Sequence, residues 1–383
     1  SADGDIELIY DLGVQTVGYY TLDLIADEGT VVDVFGCEYI TPNGTLEILW
    51  GNRNGMRYIC KEGRNTFTSL RRRAGRYLLV TLRGVRSPVR IRQIEVLEST
   101  YPVSCDGSFT CSDRTLDRIW DISARTLKLC MEDTFTDCPL YEQTLWVGDA
   151  RNEAMFAFHV FGAVDLAKRC AEIAGQSLDR YPMVSSQVPS SWACILPAWS
   201  FLWGISIWDY YFYTGDKAFV KKMWSYVKKN LRESERRCTD RGLFSAPYWN
   251  LLEWSTIDDQ HETVLHNSML LVGAIDAGRA CAKVLGDSAT ASWLTKFRAK
   301  LVKAINALWD SKRKSYLDSI HGDGVVSSNT SQHNNFLSIL HNIVEPKNYP
   351  AALQNAVSPP EGMTRVGSGF ASMFHYEALD KAG

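Results

Sequence analysis

Residues 198–213 read Ala198-Trp199-Ser200-Phe201-Leu202-Trp203-Gly204-Ile205-Ser206-Ile207-Trp208-Asp209-Tyr210-Tyr211-Phe212-Tyr213, and this stretch decides the architecture of the larger part of the chain. At helical spacing Trp199, Leu202, Trp203, Ser206 and Tyr210 share one face, while Phe201, Ile205, Trp208 and Phe212 cover another. A helix apolar nearly all round must be buried on most sides. A barrel with an inner and an outer ring of helices buries its inner helices in this way. The run ends at Thr214-Gly215-Asp216, and Leu285-Gly286-Asp287 repeats the device. Glycine tolerates the left-handed position after a helix and Asp caps the next one, so these are tight antiparallel pairs. Helical hairpins stacked in series are the expected unit.

The helical period begins at Ser112, read as the N-cap of a helix ending near Glu132, with Leu116, Ile119, Trp120, Leu127 and Met131 near one face. Further helices read over Asp149–Phe161, Val164–Arg180, Ala198–Tyr213, Lys217–Cys238, His261–Leu285, Ala289–Asp310, Ser328–Val344, Tyr349–Val357 and Gly369–Ala382. Ten helices are an awkward number for a closed ring of hairpins, so the domain is expected to be incomplete at the C-terminus. Before Tyr101-Pro102 the texture differs. Thr16–Asp23, Val31–Phe35 and Tyr77–Val85 alternate apolar and polar residues, with turn signals at Pro42-Asn43-Gly44, Gly51-Asn52-Arg53-Asn54-Gly55 and Glu62-Gly63. The expectation is a multidomain β + α chain: a β-sandwich over residues 1–104, then a helical barrel over residues 105–383.

A chain of 383 residues, 45% hydrophobic and 22% charged, has room for two or three domains. A net charge of -3 offers no attraction to nucleic acid or to an anionic membrane. Ten cysteines without a Cys-x-x-Cys pair read as reduced, mostly buried thiols and a cytoplasmic compartment. The first residues carry no signal-peptide pattern, and a start that follows a removed signal stays open. The densest apolar run, Ile195–Trp208, is too short to cross a bilayer core of roughly 30 Å as a helix.

The chemistry concentrates in Asp137-Cys138-Pro139-Leu140-Tyr141-Glu142-Gln143-Thr144-Leu145-Trp146-Val147-Gly148-Asp149-Ala150-Arg151. Pro139 keeps Cys138 out of a helix, so Asp137 is presented from a loop. Glu142 lies between Tyr141 and Trp146, apolar neighbours that would raise a carboxyl pKa as a general acid requires. Asp149 reads either as a helix cap or as a ligand for sugar hydroxyls. Eight of the twelve tryptophans fall between residues 146 and 254. Trp203, Trp208 and Trp224 read as core; Trp146, Trp192, Trp249 and Trp254 lie in loops or at element ends, where an indole face suits a sugar ring. Trp199 and Tyr141 join them as candidate substrate-binding residues. Glu253, with Asp258 and Asp259, is either a second wall of the same cleft or a cap for the helix from His261. His261 and His266 are five apart, about 140° from eclipsing on a helix, whereas the zinc-protease motif needs four. Gly367-Ser368-Gly369 lacks the third glycine of a dinucleotide loop. No cofactor and no metal ion are expected, and the expected partner is a carbohydrate.

The stretch Thr136-Asp137-Cys138-Pro139 through Trp146-Val147-Gly148-Asp149-Ala150 resembles the signature of bacterial α-L-rhamnosidases of the six-hairpin glycosidase class. Tyr101-Pro102-Val103, Gly107-Ser108-Phe109, Leu196-Pro197-Ala198-Trp199 and Tyr213-Thr214-Gly215-Asp216 agree with that likeness. The resemblance implies an (α/α)6 barrel and inverting hydrolysis, with one carboxylic acid protonating the leaving oxygen and a carboxylate roughly 6.5 to 9.5 Å away activating water. Glu142 matches the acid; Asp137, Trp146 and Asp149 match residues lining the sugar pocket. Two departures follow. Many family members have an Arg-x-Glu arrangement with the acid six residues after the Asp, whereas here Asp137 and Glu142 are five apart and Tyr141 takes the place of that Arg; and no Trp-Glu pair, the family's base element, occurs after Glu142. The base is therefore expected beyond Gly383, with a weakly active or inactive 383-residue chain, and two alternatives stay open: a six-hairpin glycosidase for another sugar, or a non-catalytic carbohydrate-binding protein.

Overall fold

The computed structural model describes residues 5–46 and 54–383. The turn signal at Gly51-Asn52-Arg53 lies outside the described residues. The chain divides into two compact units, residues 1–144 and 145–383.

The first unit is built on one long strand. β1 (Ile6–Ala26) pairs antiparallel with β5 (Arg73–Arg83) along its first half and with β4 (Gly63–Thr68) and β6 (Arg90–Glu98) along its second. β2 (Val31–Cys37) lines the other edge of β5, and β3 (Gly55–Ile59) follows β2. The β1–β5 register shifts between Asp11 and Thr16, where Gly13 takes a φ of +79°. Period-two alternation sends Tyr20, Leu22, Leu24 and Ala26 of β1, Val32 and Val34 of β2, and Leu78, Val80 and Leu82 of β5 into one core. The two layers expected of a sandwich are thus leaves of a single curled sheet, joined through β1.

After the sheet comes α1 (Arg114–Leu129), whose N-cap is Asp113 rather than Ser112: the Asp113 carboxylate accepts from Thr115 N at 2.8 Å. The helix stops before Glu132 because Met131 and Phe135 begin an extended bridge. Leu127 and Leu129 are buried, whereas Leu116 and Ile119 of the expected apolar face stay exposed. Buried Arg72 donates to Ser99 O at 3.0 Å and Leu129 O at 3.1 Å and pairs with Glu132 at 3.3 Å. Val17, Ala74, Leu129 and Leu140 form a second small core. These ties hold α1 and the loop after it to the sheet within the first compact unit, Ser1–Thr144.

The second unit is helical: α2 (Val147–Val160), α3 (Val164–Gln176), α4 (Pro197–Thr214), α5 (Lys217–Arg236), α6 (Leu265–Leu285), α7 (Ser288–Asn306), α8 (Gln332–Leu340), α9 (Tyr349–Val357) and α10 (Gly369–Ala382). The even-numbered helices pack in succession, α2 on α4, α4 on α6, α6 on α8 and α8 on α10, and α3, α5, α7 and α9 flank them. From Pro197 to Gly204, α4 is buried on every side, as its composition demands; Phe212 at its far end is 72% exposed, so the enclosure covers its first turns only. Gly215 and Gly286 are left-handed with φ of +68° and +76°, and Asp216 and Asp287 cap the helices that follow.

Several helix limits differ from those read in the sequence: α3 stops at Gln176 instead of Arg180, giving way to a 3-10 turn at Ser177–Asp179, and α5 stops at Arg236 instead of Cys238. α2 starts at Val147 with Trp146 at the cap position, which places Asp149 in the first turn instead of at the cap. α6 starts at Leu265, not His261, because Thr263–Val264 pairs as a short strand with Ser319–Ile320. α7 ends at Asn306 because Trp309–Asp310 pairs with Ser315–Tyr316. α8 is shorter than 328–344 because Thr330 and Gln332 exchange backbone hydrogen bonds with Thr364 at 3.0 and 2.8 Å. Among the described residues no helix is long and apolar enough to cross a membrane.

Asp287 accepts from Thr290 N at 3.0 Å and from the Trp224 indole at 2.9 Å, joining α7 to α5. Asp287→Ala removes a helix cap and should lower stability by about 1 kcal/mol in urea unfolding. An unchanged midpoint would show that the cap contributes nothing.

Candidate active site

The candidate residues fall in both compact units, and each group has its own geometry. In the first unit, the loop after α1 carries Asp137, Tyr141 and Glu142. It is closed by Asp137 N donating to Thr144 O at 3.1 Å and by the Gln143 side chain donating to Pro139 O at 2.8 Å. Gln143 takes a left-handed φ of +52°, which turns the chain back sharply. Leu140 is buried in the small core and Tyr141 packs against it, so the loop is anchored through apolar side chains while Glu142 is exposed. Asp137 is half-buried. Beside it, burial and then the Asp137 carboxylate push the Cys138 thiol up to about 11. Such a thiol is no nucleophile near neutral pH.

In the second unit the tryptophans gather. Trp146 meets Trp192 edge-on at 5.9 Å and Trp249 at 6.3 Å, and Trp249 meets Trp254 at 6.0 Å. The indoles come from three segments held by backbone bonds: Val147 N to Ser186 O at 2.8 Å, Val188 N to Leu145 O at 3.2 Å, and Trp249 N to Ile195 O at 3.3 Å. Trp192 and Trp254 are exposed, 51% and 76%, so the cluster presents flat apolar faces to solvent. Aromatic faces with edge N–H donors are what the apolar side of a sugar ring requires.

Trp199 takes a different part. It is buried, stacks on Phe370 at 4.9 Å and donates its indole N–H to Asp149 at 3.0 Å. Gly148 is required beneath it, since a Cβ there would lie 2.7 Å from the indole. Trp199 therefore positions Asp149, and α2 approaches α4 closely enough for that only because residue 148 has no side chain.

Glu253 does neither thing its sequence position allowed. Its side chain is wholly enclosed. One oxygen receives Gly367 N at 2.8 Å and contacts His333, and the other receives the Ser368 hydroxyl. Burial raises its pKa, but hydrogen bonds from His333, Ser368 and Gly367 outweigh that and hold it down at about 2. It caps no helix from His261 and presents no side-chain atom to solvent; it ties its loop to the starts of α8 and α10. Gly367, whose Cβ would meet Trp254 O at 3.0 Å, thus belongs to a small anion nest filled by the protein's own carboxylate.

Three buried polar groups escaped the sequence reading. His333 sits in Gln332-His333-Asn334-Asn335, a polar run buried throughout at the start of α8. Arg151 pairs with Asp209 of α4 at 2.9 Å and Glu377 of α10 at 3.3 Å. Its one sequence signal was Asp209, the lone charge in the apolar run of α4. Asp318, buried and bonded by Ser331 at 2.7 Å and Asn334 at 2.8 Å, is raised to about 6, chiefly by burial.

Residues 105–373 match the model of the bacterial alpha-L-rhamnosidase 6 hairpin glycosidase domain. Over 245 residues, 58% of this chain and 26% of the relative, the sequence is 27% identical to an alpha-L-rhamnosidase of Formosa agariphila. The GH78 family rhamnosidase of Bacillus sp. GL1 superposes with a TM-score of 0.97 at 40% identity, covering 100% of this chain and 40% of that one. A rhamnosidase from Klebsiella oxytoca, with rhamnose bound, shares the fold at a TM-score of 0.82 and 20% identity, covering 98% and 76%. The chain thus spans about a quarter of the curated relative and two fifths of the Bacillus structure.

Removing the Glu253 carboxylate strands His333 and the Gly367–Ser368 nest in the interior. Glu253→Ala should lower stability by roughly 3–5 kcal/mol. The Glu253 contribution is full above its unfolded pKa of about 4.3 and is lost as pH falls towards about 2. Urea midpoints compared between pH 6 and pH 3 should therefore drop more in the parent than in Glu253→Gln, and parallel profiles would contradict this assignment.

Proposed function

This chain belongs to the bacterial α-L-rhamnosidase six-hairpin glycosidase family, and from that premise we propose that the whole protein releases terminal α-L-rhamnose from glycoconjugates or plant or bacterial polysaccharides by inverting hydrolysis. The observation that carries the reading is the family match across residues 105–373, which contains the whole Asp137–Arg151 stretch. The succession of α2, α4, α6, α8 and α10, flanked by α3, α5, α7 and α9, supports an (α/α)6 barrel in which the even-numbered helices form the inner ring.

In this reading Glu142 is the general acid. Its exposure leaves the carboxyl accessible to a bound glycoside. It gives its proton to the glycosidic oxygen as the C1–O bond breaks, and a water attacks C1 from the opposite face, yielding the inverted anomer. A second carboxylate takes the proton of that water. Glu253 is no candidate, being enclosed and fully bonded. The family's Trp-Glu element does not occur after Glu142, so the base is proposed to lie outside these 383 residues. Asp137 and Asp149 receive sugar hydroxyls, Trp199 holds Asp149 in place, and the Trp146, Trp192, Trp249 and Trp254 faces stack on the substrate. Tyr141, standing where the family carries an Arg, favours a second reading in which the same chemistry acts on another terminal sugar.

The test uses the full-length protein on two rhamnosides. With an alkyl or glycosyl leaving group, Glu142→Gln should lower kcat by about 100-fold or more. With a dinitrophenyl leaving group, which departs without protonation, the loss should be much smaller. Proton NMR of the first product should show the β anomer. An equal loss on both substrates removes Glu142 as the acid, and activity on other glycosides alone moves the reading to another sugar.

A further inference from the structure

One cluster of ligand-bearing side chains in the helical unit belongs to none of the features above. Asp258 accepts from His261 Nε2 at 3.0 Å through one carboxylate oxygen and from His321 Nε2 at 3.0 Å through the other. The two imidazoles stack at 3.8 Å with their planes 20° apart, so both present Nε2 to the same carboxylate. The ligand atoms of all three residues lie within 4.8 Å of one another. Four-coordinate zinc with ligands at 2.0–2.1 Å separates its ligand atoms by about 3.3 Å; the two Nε2–carboxylate distances of 3.0 Å are close to that, and ligation turns the stacked rings apart so that both Nε2 atoms converge on the ion.

The scaffold holds this spacing without a helix. Asp258 and His261 lie on the segment leading into α6, and His321 lies beyond α7, sixty residues from His261. Antiparallel pairing of Thr263–Val264 with Ser319–Ile320 lays the two segments side by side. A tight turn fixes His321, with its N donating to Val325 O at 2.8 Å and Gly324 N donating back to His321 O at 2.9 Å. Ser319 donates to Asp258 at 2.8 Å, the outer-shell bond that orients a ligating carboxylate. Side-chain exposures of 16% for Asp258, 25% for His261 and 35% for His321 leave an entry path from solvent. His321 also borders a cleft of about 330 Å³ lined by Arg241 and Glu262. His266, the partner that local spacing offered to His261, is buried instead, its Nε2 against Asn250 O at 3.0 Å.

We propose that Asp258, His261 and His321 bind one divalent transition-metal ion of the zinc class, which clamps the segment before α6 to the hairpin after α7. Two imidazole nitrogens with one carboxylate oxygen favour such an ion over calcium or magnesium, which take oxygen ligands. Binding requires each imidazole to carry its proton on Nδ1, so that Nε2 is free to ligate the ion.

The full chain, stripped with chelator and titrated with Co2+, tests this. The expected result is one bound equivalent with visible ligand-field bands and no thiolate-to-cobalt charge transfer, displaced by Zn2+. His261→Gln and His321→Gln should each lose that equivalent, with circular dichroism reporting the fold, and Zn2+ should raise the melting temperature of the parent only. Three results overturn the proposal: no stoichiometric equivalent, an equivalent with a thiolate band arising from the ten cysteines, or an equivalent kept by folded His321→Gln.

Discussion

A helix that is apolar on every side cannot be satisfied by one neighbour, and the second unit answers to that constraint. α4 carries two indoles, a phenyl ring and a leucine within its first two turns, with Trp199, Leu202 and Trp203 on one face and Phe201 on another. Enclosing them takes α2 and α6 on two flanks and α3 and α5 on others. The same demand recurs in α6, buried without interruption from Leu265 to Ile275. Burial of this kind is non-directional, so it sets which helices must be inside and leaves their exact contacts to shape. Gly148, Gly175 and Gly273 then let neighbouring helices close on Trp199, Trp203 and His341, where a Cβ would stand within 3 Å of a ring or a methyl group.

Charge inside this apolar unit is arranged so that each ion is answered in place. Arg151 is met by two carboxylates from two other helices, and Glu253 by an imidazole, a hydroxyl and a backbone N–H. Such groups stabilise little on balance against an apolar replacement, but leaving one half unpaired is strongly unfavourable. They therefore specify how helices distant in sequence come together. Glu253 links a loop to α8 and α10 across 80 and 114 residues.

What the sequence revealed depended on range. Helix period, glycine stops and aspartate caps are local, and they placed ten helices, with Tyr349–Val357 and Gly369–Ala382 matched at both ends. The tryptophan cluster was legible because four indoles at element ends within one region had few other uses. Where reading failed, the deciding partner was remote: the Ser319–Ile320 strand that delays α6 to Leu265, the Thr364 backbone that shortens α8, and His333, which turns Glu253 inward. The sandwich was legible as alternation. That one strand serves both leaves was not, because alternation is identical whichever neighbour a strand pairs with.

That shared strand has a consequence for how the protein is made. β1 leaves the ribosome before its partners β4, β5 and β6, the last not complete until Glu98. At roughly 5–20 residues per second, a 21-residue strand with alternating apolar side chains waits several seconds with both edges unpaired. Neither leaf can close in the meantime, since each contains part of β1. The nascent β region is thus most vulnerable to aggregation while β1 waits for its partners, and its cooperative folding is deferred until β6 has left the exit tunnel.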